Sequence, residues 1–321
     1  MKTTTTIEEA VQSERLNGFR GTGPYQPDRR RKSKLKSAEE AFAAVKDGCV
    51  LGMTCTHYMS LPMAGVRQIL RQGTRDLTIM PTPSAGLAID ILIAAGAVKK
   101  TFVSYVGLES YGLAPNFRRA VEKGEVEVSD CDEATVIYGY RAAAAGLPYA
   151  LLPAYYKMTS LPKINPNHYR EIQDPFTGRP CFAIPPLKPD VALIHVPQCD
   201  EFGNARQLGG HHTENLMAKA ADHVIITADE IIPTEMVMSD PTRTTVPGFL
   251  VNSVVRMPFG AHPGSCPMRY STDEDHMAEY ARLADEGRTC DYIQQYVHNC
   301  ANHNEYLDKI GASRLLNLLF Y

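Results

Sequence analysis

The stretch of sequence that decides the fold runs from residue 49 to residue 80. It opens with the apolar run Cys49-Val50-Leu51, continues after Pro62 with apolar residues at helical spacing, and closes with Leu77-Thr78-Ile79-Met80. Short apolar strands that alternate with helices are typical of a parallel sheet covered on both faces. The stretch therefore predicts one strand–helix–strand unit of an α/β protein.

The same alternation continues in both directions from this unit. Before it, Ser37 and Glu40 form a capping box that opens a helix, and after it Ser84 is expected to cap an apolar helix. Further strands are predicted at 102–106, 126–128, 149–152, 191–196, 223–227 and 249–255, and further helices at 117–123, 132–145, 214–221 and within 273–316. The predicted fold class is α/β, with an open, mostly parallel sheet and helices on both faces.

Two segments break this alternation. Residues 1–37 contain 9 basic and 4 acidic side chains and no hydrophobic period, so they are interpreted as a flexible basic arm. Residues 157–180 are rich in Pro and Asn and are expected to form a long loop. The chain is thus predicted to consist of an arm, residues 1–37, and one α/β domain, residues 38–321.

Composition excludes several classes of protein. The 321 residues include 33 Lys+Arg and 36 Asp+Glu, and this balance lacks the positive charge expected of a nucleic-acid-binding protein. No apolar run approaches the roughly 20 residues of a membrane span. The eight cysteines form no Cys-x-x-Cys pair, so we expect reduced thiols, no metal site and a cytoplasmic location.

Motifs for other common chemistries are missing. Gly21-Thr22-Gly23 does not lie between a strand and a helix, so it fails the dinucleotide-binding fingerprint, and no Walker A sequence occurs. Neither a Gly-x-Ser-x-Gly elbow nor a His-Glu-x-x-His helix is present. Spacing alone predicts an α/β protein and no particular reaction.

Three stretches of the sequence carry more information. They are Ser104-Tyr105-Val106-Gly107-Leu108-Glu109, Arg141-Ala142-Ala143-Ala144-Ala145-Gly146-Leu147-Pro148, and Pro247-Gly248-Phe249-Leu250-Val251-Asn252-Ser253-Val254-Val255. They resemble the α subunit of the family I coenzyme A transferases, of the glutaconate CoA-transferase type. Weaker similarities follow in order, so the resemblance covers the chain from about residue 38 to its end.

This resemblance implies a coenzyme A transferase fold and a partner. In the family, the active site lies in a cleft between an α and a β chain, and a glutamate of the β chain attacks the acyl-CoA thioester. That glutamate lies in a Glu-Asn-Gly-like motif, which this sequence does not contain. The resemblance therefore implies a hetero-oligomer with a β subunit, with acyl-CoA and CoA as substrate and product and no permanently bound cofactor.

Glu133 is the candidate catalytic residue. Transferase α subunits usually carry a glutamine at the matching position, whereas Asp132-Glu133 resembles the α subunit of the CoA-dependent hydrolase that opens the last steroid ring in bacterial sterol breakdown. A carboxylate can take a proton from water, and partial burial near Asp132 would raise its pKa and suit it as a general base. Alternatively, Asp132 and Glu133 only place negative charge on the first turn of a helix.

The candidate substrate-binding residues follow the ends of two predicted strands. The family's glycine-rich loop after the first strand is replaced here by a sequence that keeps Gly52 and Pro62. Hydrogen-bonding side chains of this loop are candidate substrate contacts, together with Gly52 itself: Thr54, Thr56, His57 and Tyr58. Glu109 joins them because it follows the strand predicted through Val106, and ligands of open sheets bind at the carboxyl ends of strands.

Three functions remain open at this point. The leading hypothesis is the α subunit of a heteromeric CoA-transferase that moves CoA between an acyl-CoA thioester and a carboxylic acid. The second is part of an acyl-CoA hydrolase that acts on a cyclic β-oxo acyl-CoA, with Glu133 as general base. The third is a non-catalytic subunit that binds CoA or stabilises a β partner.

Overall fold

The computed structural model describes residues 31–54, 58–82 and 84–320. Residues 1–30, which form most of the predicted basic arm, lie outside the described residues, as do Thr56 and His57 of the predicted substrate loop. Residues Ser33–Tyr321 form one packed unit, to which every element named below belongs.

Among the described residues, eleven strands and twelve helices make up this unit. The strands are β1 Val50–Met53, β2 Leu77–Pro81, β3 Val98–Val103, β4 Glu127–Asp130, β5 Ala150–Pro153, β6 Arg170–Gln173, β7 Pro180–Ile184, β8 Val191–Cys199, β9 Ala205–Arg206, β10 His223–Ile231 and β11 Ser253–Arg256. The helices are α1 Ala38–Phe42, α2 Met63–Arg71, α3 Leu87–Ala94, α4 Pro115–Glu122, α5 Glu133–Ala144, α6 Leu161–Ile164, α7 Glu214–Ala220, α8 Thr234–Ser239, α9 Glu274–Asp285, α10 Thr289–Ile293, α11 His303–Ile310 and α12 Ala312–Asn317. No helix in these ranges has both the length and the apolar composition that crossing a membrane requires.

The main sheet has eight strands, and seven of them are parallel in the order β11-β10-β8-β1-β2-β3-β4. β1 lies between β2 and β8, with Leu51 opposite Ile79 and Met53 opposite Leu193. The short strand β9 pairs antiparallel with the end of β8. The predicted α/β class with a mostly parallel sheet is confirmed.

Helices cover both faces of this sheet, as the near-continuous apolar strands require. On one face, Leu51, Leu193 and Ile225 pack against α1–α4 and α9–α11. On the other face, Ile194 and Ile226 pack against α5 and α7. Each strand therefore contributes alternate side chains to two separate cores.

The chain enters the unit just before α1. The Lys36 N–H donates to the Val254 carbonyl over 2.9 Å, and the Val254 N–H donates to the Lys34 carbonyl over 2.8 Å. The Lys36 ammonium also donates to Ser253 Oγ over 2.9 Å. Residues 34–36, which were predicted to belong to the arm, thus run alongside β11.

A second, three-stranded antiparallel sheet interrupts the main fold in the order β5-β7-β6. Residues 157–180 contain α6, β6 and the first residue of β7, so this segment is not the predicted long loop. β5 also does not join the main sheet, although its apolar run was expected to continue the alternation. Tyr156 OH donates to Asp132 over 2.6 Å, and this bond ties the small sheet to the start of α5.

Local signals at element ends were partly right. The Ser37–Glu40 capping box is present at the start of α1. The predicted Ser84 cap is wrong, because α3 begins after Gly86 without a side-chain cap. The strand predicted at 102–106 lies earlier, at Val98–Val103. Its beginning was missed because Lys99 and Lys100 interrupt the apolar pattern there.

The C-terminal helices enclose a buried network of polar side chains. His262 bonds Tyr306 through Nδ1 over 2.6 Å and Asp273 through Nε2 over 3.0 Å. The Arg314 guanidinium donates to both oxygens of Asp273, over 2.5 and 2.6 Å. His276 Nε2 lies 2.8 Å from Tyr292 OH. Because buried polar groups are costly unless bonded, this network fixes how the helices pack.

Buried histidines make stability depend on pH, and His276 and His168 are two of them. Burial lowers the pKa of His276 to about 3, with His262 and Arg314 acting in the same direction, and burial with the charge of Lys100 lowers the pKa of His168 to about 4. In the unfolded chain, histidine takes up a proton near pH 6.5. Below that pH the unfolded state therefore binds more protons, so the free energy of unfolding falls as pH falls.

We expect each of these histidines to cost about 2 kcal/mol of unfolding free energy between pH 6.5 and pH 5. Urea unfolding at pH 7.5, 6.0 and 5.0 measures this loss. His276→Gln cannot take up the proton and should make the pH dependence shallower by about that amount. His211→Gln, at an exposed position, is the matched control, and equal slopes for the two variants would contradict the prediction.

Candidate active-site edge

The carboxyl edge of the main sheet has a switch point. From β1 the chain builds outward through β2, β3 and β4, whereas β8, β10 and β11 build outward on the other side. The connections that leave the carboxyl ends of β1 and β8 therefore diverge. Open α/β sheets bind their ligands in the crevice that such a divergence creates.

Backbone strain is concentrated at this edge. Six non-glycine residues in the described ranges have positive φ, and one of them, Asp76, precedes β2 at the opposite edge. The other five lie in loops at the carboxyl edge: Ser60, Glu109, Leu208, Phe259 and Met268. Such conformations cost about 1–2 kcal/mol each, and strain of this kind gathers at functional sites. This clustering locates the candidate site independently of any motif.

A cavity opens at the same edge. Its volume is about 450 Å³, which lies within the range of small-molecule sites. Its lining comes from the loops after β9 and α8 and from the segment after β11: Leu208, Gly209, His211, Thr242, Arg243, Thr245 and Met268. Arg243 gives this cavity a positive charge, although it also pairs with Asp240 over 3.2 Å.

The loop after β1 begins with Thr54. Its N–H donates to the Leu193 carbonyl over 3.1 Å, so it prolongs the pairing of β1 with β8. Thr54 is fully buried, and its hydroxyl has no hydrogen-bond partner in the part of the chain that the structure describes. Thr54 therefore lies at the switch point but is closed off from solvent.

Gly52 does not reach the carboxyl edge. It lies inside β1, and a Cβ at this position would meet Met217 Sδ at 2.7 Å and Pro189 Cγ at 3.1 Å. The absence of a side chain is thus explained by the close packing of α7 on the strand. The geometry gives Gly52 a packing role.

Tyr58 links three segments of the edge. The Ser265 N–H donates to its carbonyl over 2.7 Å, and the Ser60 N–H donates to the Ser265 carbonyl over 2.8 Å. The Tyr58 hydroxyl donates to the Leu108 carbonyl. Its phenol is therefore engaged with the chain itself and holds the loop that carries Glu109.

Glu109 lies beside Tyr58, as the sequence-based assignment of both to one site requires. It is exposed and starts the 3₁₀ turn Glu109–Tyr111 at a φ of 46°. Burial raises the pKa of Tyr58, and the negative charge of Glu109 adds to this rise. Burial and Glu109 raise the pKa of Tyr105 in the same way. The structure thus brings one carboxylate and two phenols together.

Glu133 occupies a different part of the edge. It is the first residue of α5, three residues after β4, and its side chain is exposed in this chain rather than partly buried. Asp132 caps the helix by accepting from the Thr135 N–H over 2.8 Å. Because β4 is three strands from β1, the two loops are separated by about 14 Å. The described residues thus leave the Glu133 carboxylate exposed.

Sequence reasoning missed the residues that anchor this edge. Asp229, near the end of β10, accepts from the Gly260 N–H over 3.1 Å and so holds the segment after β11. A Cβ on Gly260 would lie 2.6 Å from His195 Cε1, so only glycine fits between β8 and this segment. The available signal was polarity itself, since His195 and Asp229 interrupt otherwise apolar strands.

Comparisons with known proteins agree with this architecture. The family model described as coenzyme A transferase matches residues 35–257. Over 302 residues, the chain is 33% identical to the α subunit of glutaconate CoA-transferase of Acidaminococcus fermentans, a match that covers 88% of this chain and 93% of that protein. The crystal structure of glutaconate coenzyme A-transferase from that organism superposes with a TM-score of 0.83 and 30% identity, over 90% of this chain and 96% of that chain.

Two further relatives broaden the comparison. The chain is 28% identical over 295 residues to the cholesterol ring-cleaving hydrolase IpdA subunit of Mycobacterium tuberculosis, over 88% of this chain and 99% of that protein. An uncharacterised protein of Archaeoglobus fulgidus is 38% identical over 292 residues. That match spans 89% of this chain but 64% of the relative, which is less than two thirds of its length.

We expect Tyr58→Phe to loosen the Glu109 loop. Loss of the hydroxyl removes one hydrogen bond to the buried Leu108 carbonyl, which costs about 1 kcal/mol. Hydrogen exchange at the amides of Tyr111 and Gly112 should therefore speed up several-fold. Tyr138→Phe, a half-exposed tyrosine on α5, is the matched control and should leave these amides unchanged. Equal exchange in both variants would show that Tyr58 does not hold the loop.

Proposed function

The chain belongs to the coenzyme A transferase family, and from this premise we propose that it is the α subunit of a heteromeric CoA-transferase. The enzyme would move CoA between an acyl-CoA thioester and a carboxylic acid. The observation that carries the proposal is the likeness to the glutaconate CoA-transferase α subunit along nearly the whole of both chains.

A β subunit is part of the proposal because the family nucleophile is absent from this sequence. In the expected reaction, the partner's glutamate carboxylate attacks the thioester carbonyl and expels CoA as a thiolate, which leaves an acyl-glutamyl anhydride. The thiolate then attacks the glutamyl carbonyl, which releases the acid and forms a glutamyl-CoA thioester. The second carboxylic acid reverses both steps and leaves as the new acyl-CoA.

The chain's own contribution would be one wall of the cleft. Tyr58 holds the loop that carries Glu109, and the cavity beside Arg243 offers space for part of a ligand. We propose Tyr58 and Glu109 as residues of the substrate-facing wall. Thr54 would join them only if the loop after β1 opened, because its side chain is buried here.

Exposed apolar side chains on the same edge support a partner there. Met236 and Met238 on α8 are 47% and 68% exposed, Met268 is 74% exposed, and Leu113 in the loop after Glu109 is 61% exposed. Single exposed apolar residues are ordinary, but several on one edge mark an interaction surface. A β subunit that closed the cleft would bury them.

The direct test is activity of the pair. We expect the chain co-purified with its β subunit to exchange CoA between a thioester and an added carboxylate, and each chain alone to be inactive. The exchange should follow ping-pong kinetics and should be lost when the β-chain glutamate is changed to glutamine. Full activity of this chain alone would refute the need for a partner.

A hydrolase is the second candidate because of Glu133. Its carboxylate is exposed on the carboxyl edge, and the relatives named as cholesterol ring-cleaving hydrolase subunits align over nearly their full length. In that case Glu133 would take a proton from the water that attacks the acyl group. The burial that suits a carboxylate to this task would come from the partner or the substrate.

Glu133→Gln separates the two functions. If the complex is a transferase, we expect this change to leave CoA exchange within a few-fold of the unsubstituted complex. If it is a hydrolase, loss of the general base should lower hydrolysis by about 100-fold or more. Glu127→Gln, at the other end of β4, is the control. Hydrolysis that stays at full rate in Glu133→Gln removes the general-base role.

We also expect Met238→Asp to weaken binding of the β subunit. Burial of a methionine contributes about 1.5–3 kcal/mol, so a charge in its place should raise the Kd at least tenfold. Phe176→Asp, at a 95% exposed position in the turn between β6 and β7, is the matched control. Titration calorimetry of the two chains measures both. Equal losses of affinity would place the partner elsewhere.

A further inference from the structure

Three potential metal ligands meet beneath the carboxyl edge. His195 on β8, Asp229 on β10 and Cys266 in the segment after β11 place their donor atoms within 4.8 Å of one another. His195 Nε2 lies 3.6 Å from Asp229 Oδ1. His195 and Cys266 are fully buried, and Asp229 is 4% exposed.

Two atoms of this cluster have no hydrogen-bond partner. Among the described residues, His195 Nε2 and Asp229 Oδ2 make no hydrogen bond. A buried polar atom left unpaired costs about 1–3 kcal/mol, so proteins rarely leave two of them in facing side chains. A single cation bound by both atoms would satisfy the pair.

Neighbouring groups already orient the two side chains. His195 Nδ1 lies 3.0 Å from Thr227 Oγ1, and a hydrogen bond donated by Nδ1 leaves Nε2 with a lone pair that faces the carboxylate. Asp229 Oδ1 is held by the Gly260 N–H over 3.1 Å. Metal-binding histidines and carboxylates are normally fixed in this way by a second layer of hydrogen bonds.

A second histidine–aspartate cluster shows the contrast. His262, Asp273 and His276 also have donor atoms within 4.8 Å. There the Arg314 guanidinium binds both oxygens of Asp273, and both nitrogens of His262 have partners. A cation already neutralises that carboxylate, so the second cluster has no need of a metal.

We propose that His195, Asp229 and Cys266 bind one Zn²⁺, a site that cysteine spacing in the sequence did not predict. An imidazole nitrogen, a carboxylate oxygen and a sulfur form a donor set that zinc accepts in tetrahedral sites. With zinc–ligand distances of about 2.0–2.3 Å, neighbouring donors lie about 3.3–3.7 Å apart, and the histidine–aspartate pair already has this spacing. On binding, the Cys266 thiol releases its proton to solvent and its sulfur becomes a thiolate ligand. The metal would join β8 and β10 to the segment that pairs with Tyr58, with three protein ligands and a water molecule in the fourth tetrahedral position.

The test is metal content and cobalt spectroscopy on the full chain. After growth in zinc-supplemented medium, elemental analysis should find about one zinc per chain. Unfolding in the presence of a chelator and refolding with Co²⁺ should give a thiolate-to-cobalt charge-transfer band in the near ultraviolet, together with the visible bands of tetrahedral cobalt. The refolded protein should also melt at a higher temperature with metal than without it.

Variants assign the ligands. Cys266→Ser should lose the charge-transfer band, and His195→Gln should lower the affinity for Co²⁺ at least tenfold. His276→Gln, in the second cluster, and Cys199→Ser, a buried cysteine elsewhere, should bind the metal like the unsubstituted chain. The metal titration of the unsubstituted chain decides the proposal even where a variant does not fold. Less than one tenth of an equivalent of metal after both treatments, or a band that survives in Cys266→Ser, overturns it.

Discussion

The arrangement of the candidate site depends on the parallel pairing of β1 with β2 on one side and with β8 on the other. Because the seven strands from β11 to β4 are parallel, the connections that follow them leave from one edge of the sheet. The chain adds strands in opposite directions from β1 and from β8, so the loops after these two strands diverge. Buried contacts then hold the strained loops. Asp229 binds the Gly260 N–H, the segment that starts there pairs through Ser265 with Tyr58, and Tyr58 bonds the loop that contains Glu109. The buried carboxylate of Asp229 on β10 is therefore linked through these contacts to the position of Glu109, which follows β3.

Hydrophobic pattern predicted the fold well where strands are buried on both faces. β1, β2, β8 and β10 were located from apolar runs because both sides of each strand meet helices. β3 was misplaced since Lys99 and Lys100 lie at its start, where the sheet is exposed. The apolar run of β5 resembled a parallel strand, and nothing local indicates that it pairs with β7 in a separate sheet. Pairing between distant segments is set by tertiary packing, which a single sequence shows only indirectly.

The site was predictable in its parts and not in its assembly. Tyr58 and Glu109 were proposed because each follows a predicted strand, yet the bond from Tyr58 to the loop that carries Glu109 requires two loops from non-adjacent strands to meet. Gly52 was misjudged as a loop residue because glycine in a strand has the same sequence signature whether a ligand or a helix approaches it. His195 and Asp229 could have been found by a different inference, that a polar residue within an apolar strand must have a buried partner.

The charged side chains at the carboxyl edge bear on which part of CoA this chain could bind under the proposed function. Glu109 and Glu133 make the edge negative, whereas the phosphates of CoA require cations. Arg119 on α4 is unsuitable because its guanidinium donates to the Ala284 carbonyl over 2.6 Å in a half-buried position. Arg243 lines the cavity, and its pair with Asp240 is exposed. Exposed ion pairs contribute about 0–1 kcal/mol, so Arg243 can exchange Asp240 for a phosphate at little cost. Under the proposed function, Arg243 would therefore suit the phosphates of CoA.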